Sequence, residues 1–295
     1  MSLLGNVHNL RTTRLPPQSA KVPDWSTFFD AYLRDYQAHK RLHYPATAHV
    51  DHSAYSSWLE SLGVVERASA QRVSDSGFFK GTTKQHIQHV VQEALDSGNL
   101  ELRGCWHALF AMFLFDEARA TDRLEILSVN FSTTFIRLAL QAAASRVPST
   151  VGIDTTALSA FIDHMVINAN EIDGLDSLDA SSGCLTGNIR TARNKLARMP
   201  DTQMPIDQRS LVVYVGDSAT DYECLRAADI GIWMCDCAEG EYKRKFSEVF
   251  KPLASDVFLP VPITDFKGHR TKAQTCLWTT DLGSVTQMLH ALSTV

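Results

Sequence analysis

The segment LVVYVGDSATDYECLRAADIGIWM, residues 211–234, carries two acids at a spacing that can do chemistry. An apolar run ends in Gly216-Asp217-Ser218, and a second carboxylate follows at Asp221. In open α/β sheets, ligands bind beyond the carboxyl ends of the strands. A strand ending at Gly216 therefore predicts that Asp217 and Asp221 project into such a crevice, the second at the opening of a helix. Carboxylates so placed suit proton transfer, or a hard divalent cation such as Mg2+ shared with a substrate phosphate. Acids there also cap helices. The full G-D-S-x-T-D pattern, followed by the apolar run ADIGI, argues for more than a cap.

The elements that must position these acids follow from the texture of the chain. Residues 1–23 are basic and polar, with Arg11, Arg14 and Lys21 ahead of the first acid, Asp24, and with prolines at 16, 17 and 23. The basic, acid-free character weakly resembles an organelle transit segment. Residues 24–123 read as helical. Trp25, Phe28, Phe29, Tyr32, Leu33 and Tyr36 fall at helical spacing, TKQHIQHVVQEALDSG ends on a glycine suited to a helix end, and GCWHALFAMFLFDEA is a further apolar helix. From residue 124 short apolar runs (LEILSVN, HMVINANEI, LVVYVGDS, ADIGIWM, DVFLPV) alternate with helical stretches such as TTFIRLALQAAAS and TDYECLRAA. That alternation predicts a doubly wound α/β parallel sheet. The expected organisation is an α/β core formed by residues 1–23 and 124–295, with an all-helical domain, residues 24–123, inserted into it.

Composition narrows the function classes. The 295 residues carry 28 basic and 33 acidic side chains, for a net charge of −5 and a pI near 6.1. This is not the footprint of a dedicated nucleic-acid binder. No apolar run approaches the roughly 20 residues of a membrane-spanning helix. A small-molecule substrate is expected, with no nucleic-acid or membrane partner, and the option of a homodimer stays open. The six cysteines are too sparse for a disulfide scaffold. The close pair Cys235 and Cys237 fits neither a redox C-x-x-C nor a zinc knuckle. All six read as reduced cysteines of a cytoplasmic protein. The paired histidines His39/His43 and His86/His89 lack an evident third ligand and read as packed or solvated, and Asp154 reads as a helix cap or turn residue.

Several segments in order resemble the motifs of the haloacid dehalogenase superfamily. Residues 211–234 are similar to its fourth motif. LEILSVN followed by FSTTFI is similar to the second, with Ser128 at the phosphate-binding position and Asn130 nearby. RTARNKL is similar to the third, with Lys195 in place of the phosphate-binding lysine and Asn194 where an Asp often stands. INANEI (167–172) and SGFFKG (76–81) resemble segments of a small-molecule phosphatase branch whose helical cap lies between the first two motifs. The resemblance spans residues 24–295. It implies that Lys195, Ser128 and Asn130 hold substrate oxygens, and that Phe79 and Lys80 lie on a substrate-facing loop of the cap.

The superfamily's first motif, D-x-D-x-T/V, has no counterpart ahead of the cap. At the matching distance stand Asn9, Arg11 and Thr13. An Asn amide is a poor nucleophile, and Arg, with a pKa of about 12 or more, is no general acid near neutrality. Loss of a catalytic nucleophile costs on the order of 10^6 in kcat in subtilisin. A guanidinium about 4 Å from Asp217 would be attracted by roughly 4 kcal/mol at an effective dielectric of 20, in the place of a metal ion. The expectation is an enzyme repurposed away from phosphoenzyme hydrolysis. It would act on an anionic or polar small molecule by metal-independent lyase, isomerase or cyclase chemistry, with Asp217, Arg11 and Lys195 as catalytic groups. Asn9, Thr13, Ser128, Asn130, Phe79, Lys80 and Asp221 would bind substrate, and no cofactor is required. Alternatives stay open: a residual Mg2+-dependent phosphomonoesterase using Asp217 and Asp221, a non-catalytic pseudo-phosphatase that binds a ligand, or a chance match of residues 1–22.

Overall fold

The computed structural model describes residues 23–45, 51–115, 121–175, 180–202, 204, 208–250, 258–266 and 275–293. In chain order the helices are α1 (Trp25–His43), α2 (His52–Ser61), α3 (Gly63–Asp75), α4 (Lys84–Asp96) and α5 (Trp106–Phe115). Then come β1 (Glu125–Leu127), α6 (Thr133–Ala144), α7 (Thr155–His164), β2 (Val166–Asn168), β3 (Glu171–Ile172), β4 (Leu185–Thr186) and α8 (Ala192–Leu196). The chain closes with β5 (Val213–Gly216), α9 (Tyr222–Ala227), β6 (Ile230–Met234), α10 (Tyr242–Phe250), β7 (Val261–Pro262), β8 (Thr275–Thr279) and α11 (Leu282–Ser293). The protein is mixed α/β with parallel sheets.

Two compact units share these elements. One takes residues up to Leu42, Gly63–Leu102 and Asp122–Arg190; the other takes His43–Leu62, Arg103–Thr121 and the chain from Thr191 onward. This division cuts across the expected core and helical insertion, because α2 and α5, from the 24–123 stretch, pack with elements that follow residue 190.

In the first unit, α4 shows how sequence becomes structure. Ile87, Val90, Val91 and Ala94 recur at helical spacing and are all buried. Thr83 caps the helix through its side chain, and His86 returns the bond to the Thr83 amide. The apolar face closes a core containing Phe28, Val73, Phe78, Phe79, Phe135 and Leu138. β1 and β2 run parallel, with Glu125 opposite Val166 and Leu127 opposite Asn168, and β3 pairs antiparallel with β4. The run HMVINANEI is therefore two short strands with a break at residues 169–170. Asp154 caps α7, accepting from the amides of Thr156 and Ala157.

In the second unit β5, β6, β8 and β7 form one parallel sheet in that order. Every residue of β6 is buried, as expected for the interior of a parallel sheet. Gly231 lets α9 cross this strand: a Cβ there would lie 2.3 Å from the Leu225 carbonyl oxygen. The central strand β8, TCLWT, was not anticipated from sequence; its five residues alternate polar and apolar only once and carry no turn signal of their own.

Candidate functional site

The carboxyl end of β5 holds the acidic segment, and the two acids are placed very differently. Asp221 is turned inward. Its Oδ1 accepts from Lys195 Nζ at 2.7 Å and from the Tyr214 hydroxyl at 2.6 Å. Its Oδ2 accepts from the Ser218 amide (3.0 Å), the Ser218 hydroxyl (2.7 Å) and the Asp217 amide (3.3 Å). The Lys195 and Asp221 side chains are 6% and 5% exposed. An ion pair so far from water persists only when its remaining hydrogen-bonding capacity is filled, and here five donors fill it.

Each partner reaches this point for a local reason. Lys195 lies on α8, a short helix started by reciprocal bonds between Thr191 and Asn194. Tyr214 comes from β5. Gly216 provides the room, since a Cβ there would sit 2.6 Å from both Cβ and Cγ of Asp221. Burial pushes the Asp221 pKa up, but Lys195 and the hydrogen bonds from Lys195, Tyr214 and Ser218 outweigh it, leaving the carboxyl below its ordinary value. Burial, then the Asp221 charge, pushes the Tyr214 hydroxyl well above its usual range. Burial likewise raises the neighbouring Cys224 thiol to about 12, so it is no nucleophile.

Asp217, by contrast, is exposed. Its amide donates to Asp221 and its carbonyl accepts from Trp233 Nε1 at 3.4 Å, so the backbone is held from both sides. Among the described residues its carboxylate enters no hydrogen bond or ion pair.

This corrects two expectations. Asp221 does not project into a crevice beside Asp217; it is a buried anchor. Lys195 does not present a free ammonium to substrate oxygens, because that cation is compensated by Asp221. Sequence reading missed Tyr214, whose signal was a polar-tipped side chain within an apolar strand, and Trp233, which read only as a strand residue.

The first unit holds the other predicted residues. Ser128 directly follows β1 and donates its amide to the Asn168 carbonyl at 2.9 Å. Its hydroxyl accepts the Asn130 amide at 3.1 Å, and the Asn130 side-chain oxygen accepts the Ser132 amide at 3.0 Å. Both side chains thus organise the turn into α6. Asn170, buried, fastens this turn to the chain near residue 189: its Nδ2 donates to the carbonyls of Asn130 and Ile189, and its Oδ1 accepts the Ile189 amide. Glu171 secures the start of α6, with Oε1 accepting the Ser132 hydroxyl and Oε2 the amide and hydroxyl of Thr134. The legible signal for both lay in INANEI, where Asn168, Asn170 and Glu171 interrupt an apolar run.

Phe79 is a further correction. It is 0% exposed and packs edge-to-face on Phe78 and against Trp25, so it serves the core and offers no face to a ligand. Lys80, one residue on, is exposed. Its backbone is pressed against Gly183, where φ is +89° and a Cβ would lie 2.7 Å from the Lys80 nitrogen. Asn9, Arg11 and Thr13 lie outside the described residues.

With this geometry in view, the chain compares with known proteins as follows. It is 27% identical over 231 residues to a CTO1 family protein of Schizosaccharomyces pombe, an alignment covering 72% of each chain. No family model matches it, and no solved structure does. The class that fold and site define is thus an α/β protein with a parallel sheet, one exposed carboxylate at a strand end and a buried Lys–Asp pair behind it.

Proposed function

We propose that this chain is a haloacid-dehalogenase-like protein, with an α/β core and a helical cap, that has left phosphoenzyme hydrolysis. It acts on an anionic or polar small molecule by metal-independent acid/base chemistry of lyase, isomerase or cyclase type. The observation that carries this reading is the contact between Lys195 and Asp221. Residues from two segments that resemble the third and fourth motifs meet at 2.7 Å in a buried site.

In this reading Asp217 takes or gives the proton. It stands at the end of β5 on a backbone that the Asp221 carboxylate and Trp233 hold rigid, which keeps its position fixed without occupying its oxygens. Lys195 and Asp221 act through that backbone as positioning residues. Arg11, where the sequence alignment places it, supplies a fixed cation for the substrate's anionic group.

Mg2+, which the superfamily resemblance implies, needs near-octahedral oxygen ligands. The five hydrogen bonds into Asp221 leave its oxygens no open lone pair, since a carboxylate has about four acceptor sites. Among the described residues only Asp217 then offers a free carboxylate at this strand end. Among the described residues the arrangement does not fit a Mg2+ site.

The test is turnover of a metabolite library followed by mass spectrometry, with and without a chelator, for the wild type and Asp217→Asn. A substrate consumed in the presence of chelator, and spared by the Asp217 variant, is the expected result. Mg2+-dependent release of phosphate from p-nitrophenyl phosphate would overturn it in favour of a residual phosphatase. Ligand-induced thermal stabilisation with no turnover would overturn it in favour of a binding protein. The double variant Asn9→Asp with Arg11→Asp checks the alignment separately: gain of Mg2+-dependent phosphatase activity is expected.

A further inference from the structure

The pair Cys235 and Cys237 has no part in the chemistry above, yet the fold holds it in a defined way. β6 ends at Met234, and the chain turns at once. The Cys237 amide donates back to the Cys235 carbonyl at 3.0 Å, closing a three-residue turn. That turn is fixed on its flanks. The Cys235 amide donates to the Thr279 carbonyl at 3.1 Å, and the Cys235 carbonyl also accepts Trp278 Nε1 at 3.1 Å. Trp278 is itself stacked on Tyr242, with ring planes 10° apart. At the tip, Asp236 is paired with Arg103 at 2.6 Å. Both residues are half-buried, so a small reagent can reach them.

We propose that Cys235 and Cys237 are a thiol–disulfide exchange site that closes to an intrachain disulfide at the expense of a low-molecular-weight disulfide. The folded three-residue turn draws the two cysteine backbones toward the Cα separation that a disulfide spans, where an extended C-x-C would hold them apart. Of the other cysteines among the described residues, Cys224 and Cys276 are buried, while Cys105 and Cys184 are exposed.

The step balances as follows. The Cys237 thiolate attacks one sulfur of the small disulfide R'S–SR', forming a mixed disulfide and releasing R'S−. Cys235 then gives up its proton and attacks the Cys237 sulfur, forming the Cys235–Cys237 bond and expelling the second R'S−. Two protein thiols are oxidised and one small disulfide is reduced to two thiols. Cys235 is held protonated up to about 11, by burial first and then by the Cys237 thiol. The second step is therefore the slower one, and a ring spanning one intervening residue is strained and readily reduced.

The experiment equilibrates the full-length protein in buffers of oxidised and reduced glutathione, quenches free thiols with an alkylating agent and maps tryptic peptides. Residues 227–243 form one tryptic peptide whose only cysteines are 235 and 237. Expected is a loss of two hydrogens from this peptide, at a glutathione ratio where Cys105 and Cys184 carry at most mixed disulfides. Cys235→Ser should trap the glutathione adduct on Cys237. If the 227–243 peptide stays doubly alkylated at ratios that modify Cys105, or if both cysteines carry glutathione without closing, the proposal fails. Circular dichroism of the Cys235→Ser variant establishes that a negative result comes from a folded protein.

Discussion

At the residue scale the molecule turns on one buried carboxylate. Asp221 and Lys195 compensate each other out of reach of water, and removing one partner leaves an unpaired buried charge. Lys195→Met is therefore expected to lower the unfolding free energy by about 3–5 kcal/mol, measured by chemical denaturation, and adding Asp221→Asn to it should restore part of that loss. The pair also fixes a pH response. The folded pKa of Asp221 lies below its ordinary value, so the pair's contribution is fully present above about pH 4 and is lost as pH falls through the folded value. The melting temperature of the wild type should fall on acidification below pH 4, and Asp221→Asn should flatten that slope. The sequence showed both acids and the lysine as a constellation, but not the direction in which each points. That direction depends on Gly216, whose missing side chain makes room for Asp221, and on a tyrosine that pattern reading assigned to the strand alone.

At the scale of elements, the strongly patterned ones were legible. The helix over 84–96, the helix over 133–144 and the strands ending at Gly216 and Met234 lie where apolar periodicity put them. Others were not. β8 carries a polar residue at each end and too short an alternation to be read, and Phe79 was expected to face ligand because its segment resembles a substrate-facing loop of the cap. Packing supplied what pattern lacked: the loop's aromatics are drawn into the core they share with Trp25 and Phe28. Close approach of elements is equally specific. Gly231→Ala would press a methyl against the Leu225 carbonyl, backbone that cannot rotate away. A loss of about 1–3 kcal/mol or more is expected in a denaturation experiment, together with reduced hydrogen-exchange protection in α9 and β6.

At the scale of the whole molecule, the sequence suggested one insertion into one core, and the contacts describe two interleaved units instead. Composition shifts mark where texture changes, not which segments end up side by side, so α2 and α5 were assigned with their neighbours in sequence. Tyr55, Trp58 and Leu59 from α2, and Leu109 and Phe110 from α5, are all buried within the second unit. A fragment starting at residue 191 lacks these side chains and should not fold cooperatively; near-ultraviolet circular dichroism and a denaturant titration would show no sharp transition. Adding residues 43–62 and 103–121 as separate peptides should restore some of it.

The interleaving bears on how the chain is made. α5, with the sequence WHALFAMFLF, packs on α11, which the ribosome delivers roughly 170 residues later, on the order of 10–30 s at about 5–20 residues per second. For that interval one of the most oily stretches of the polypeptide has emerged while its final cover is still being translated, which makes it the segment most open to misassociation during synthesis.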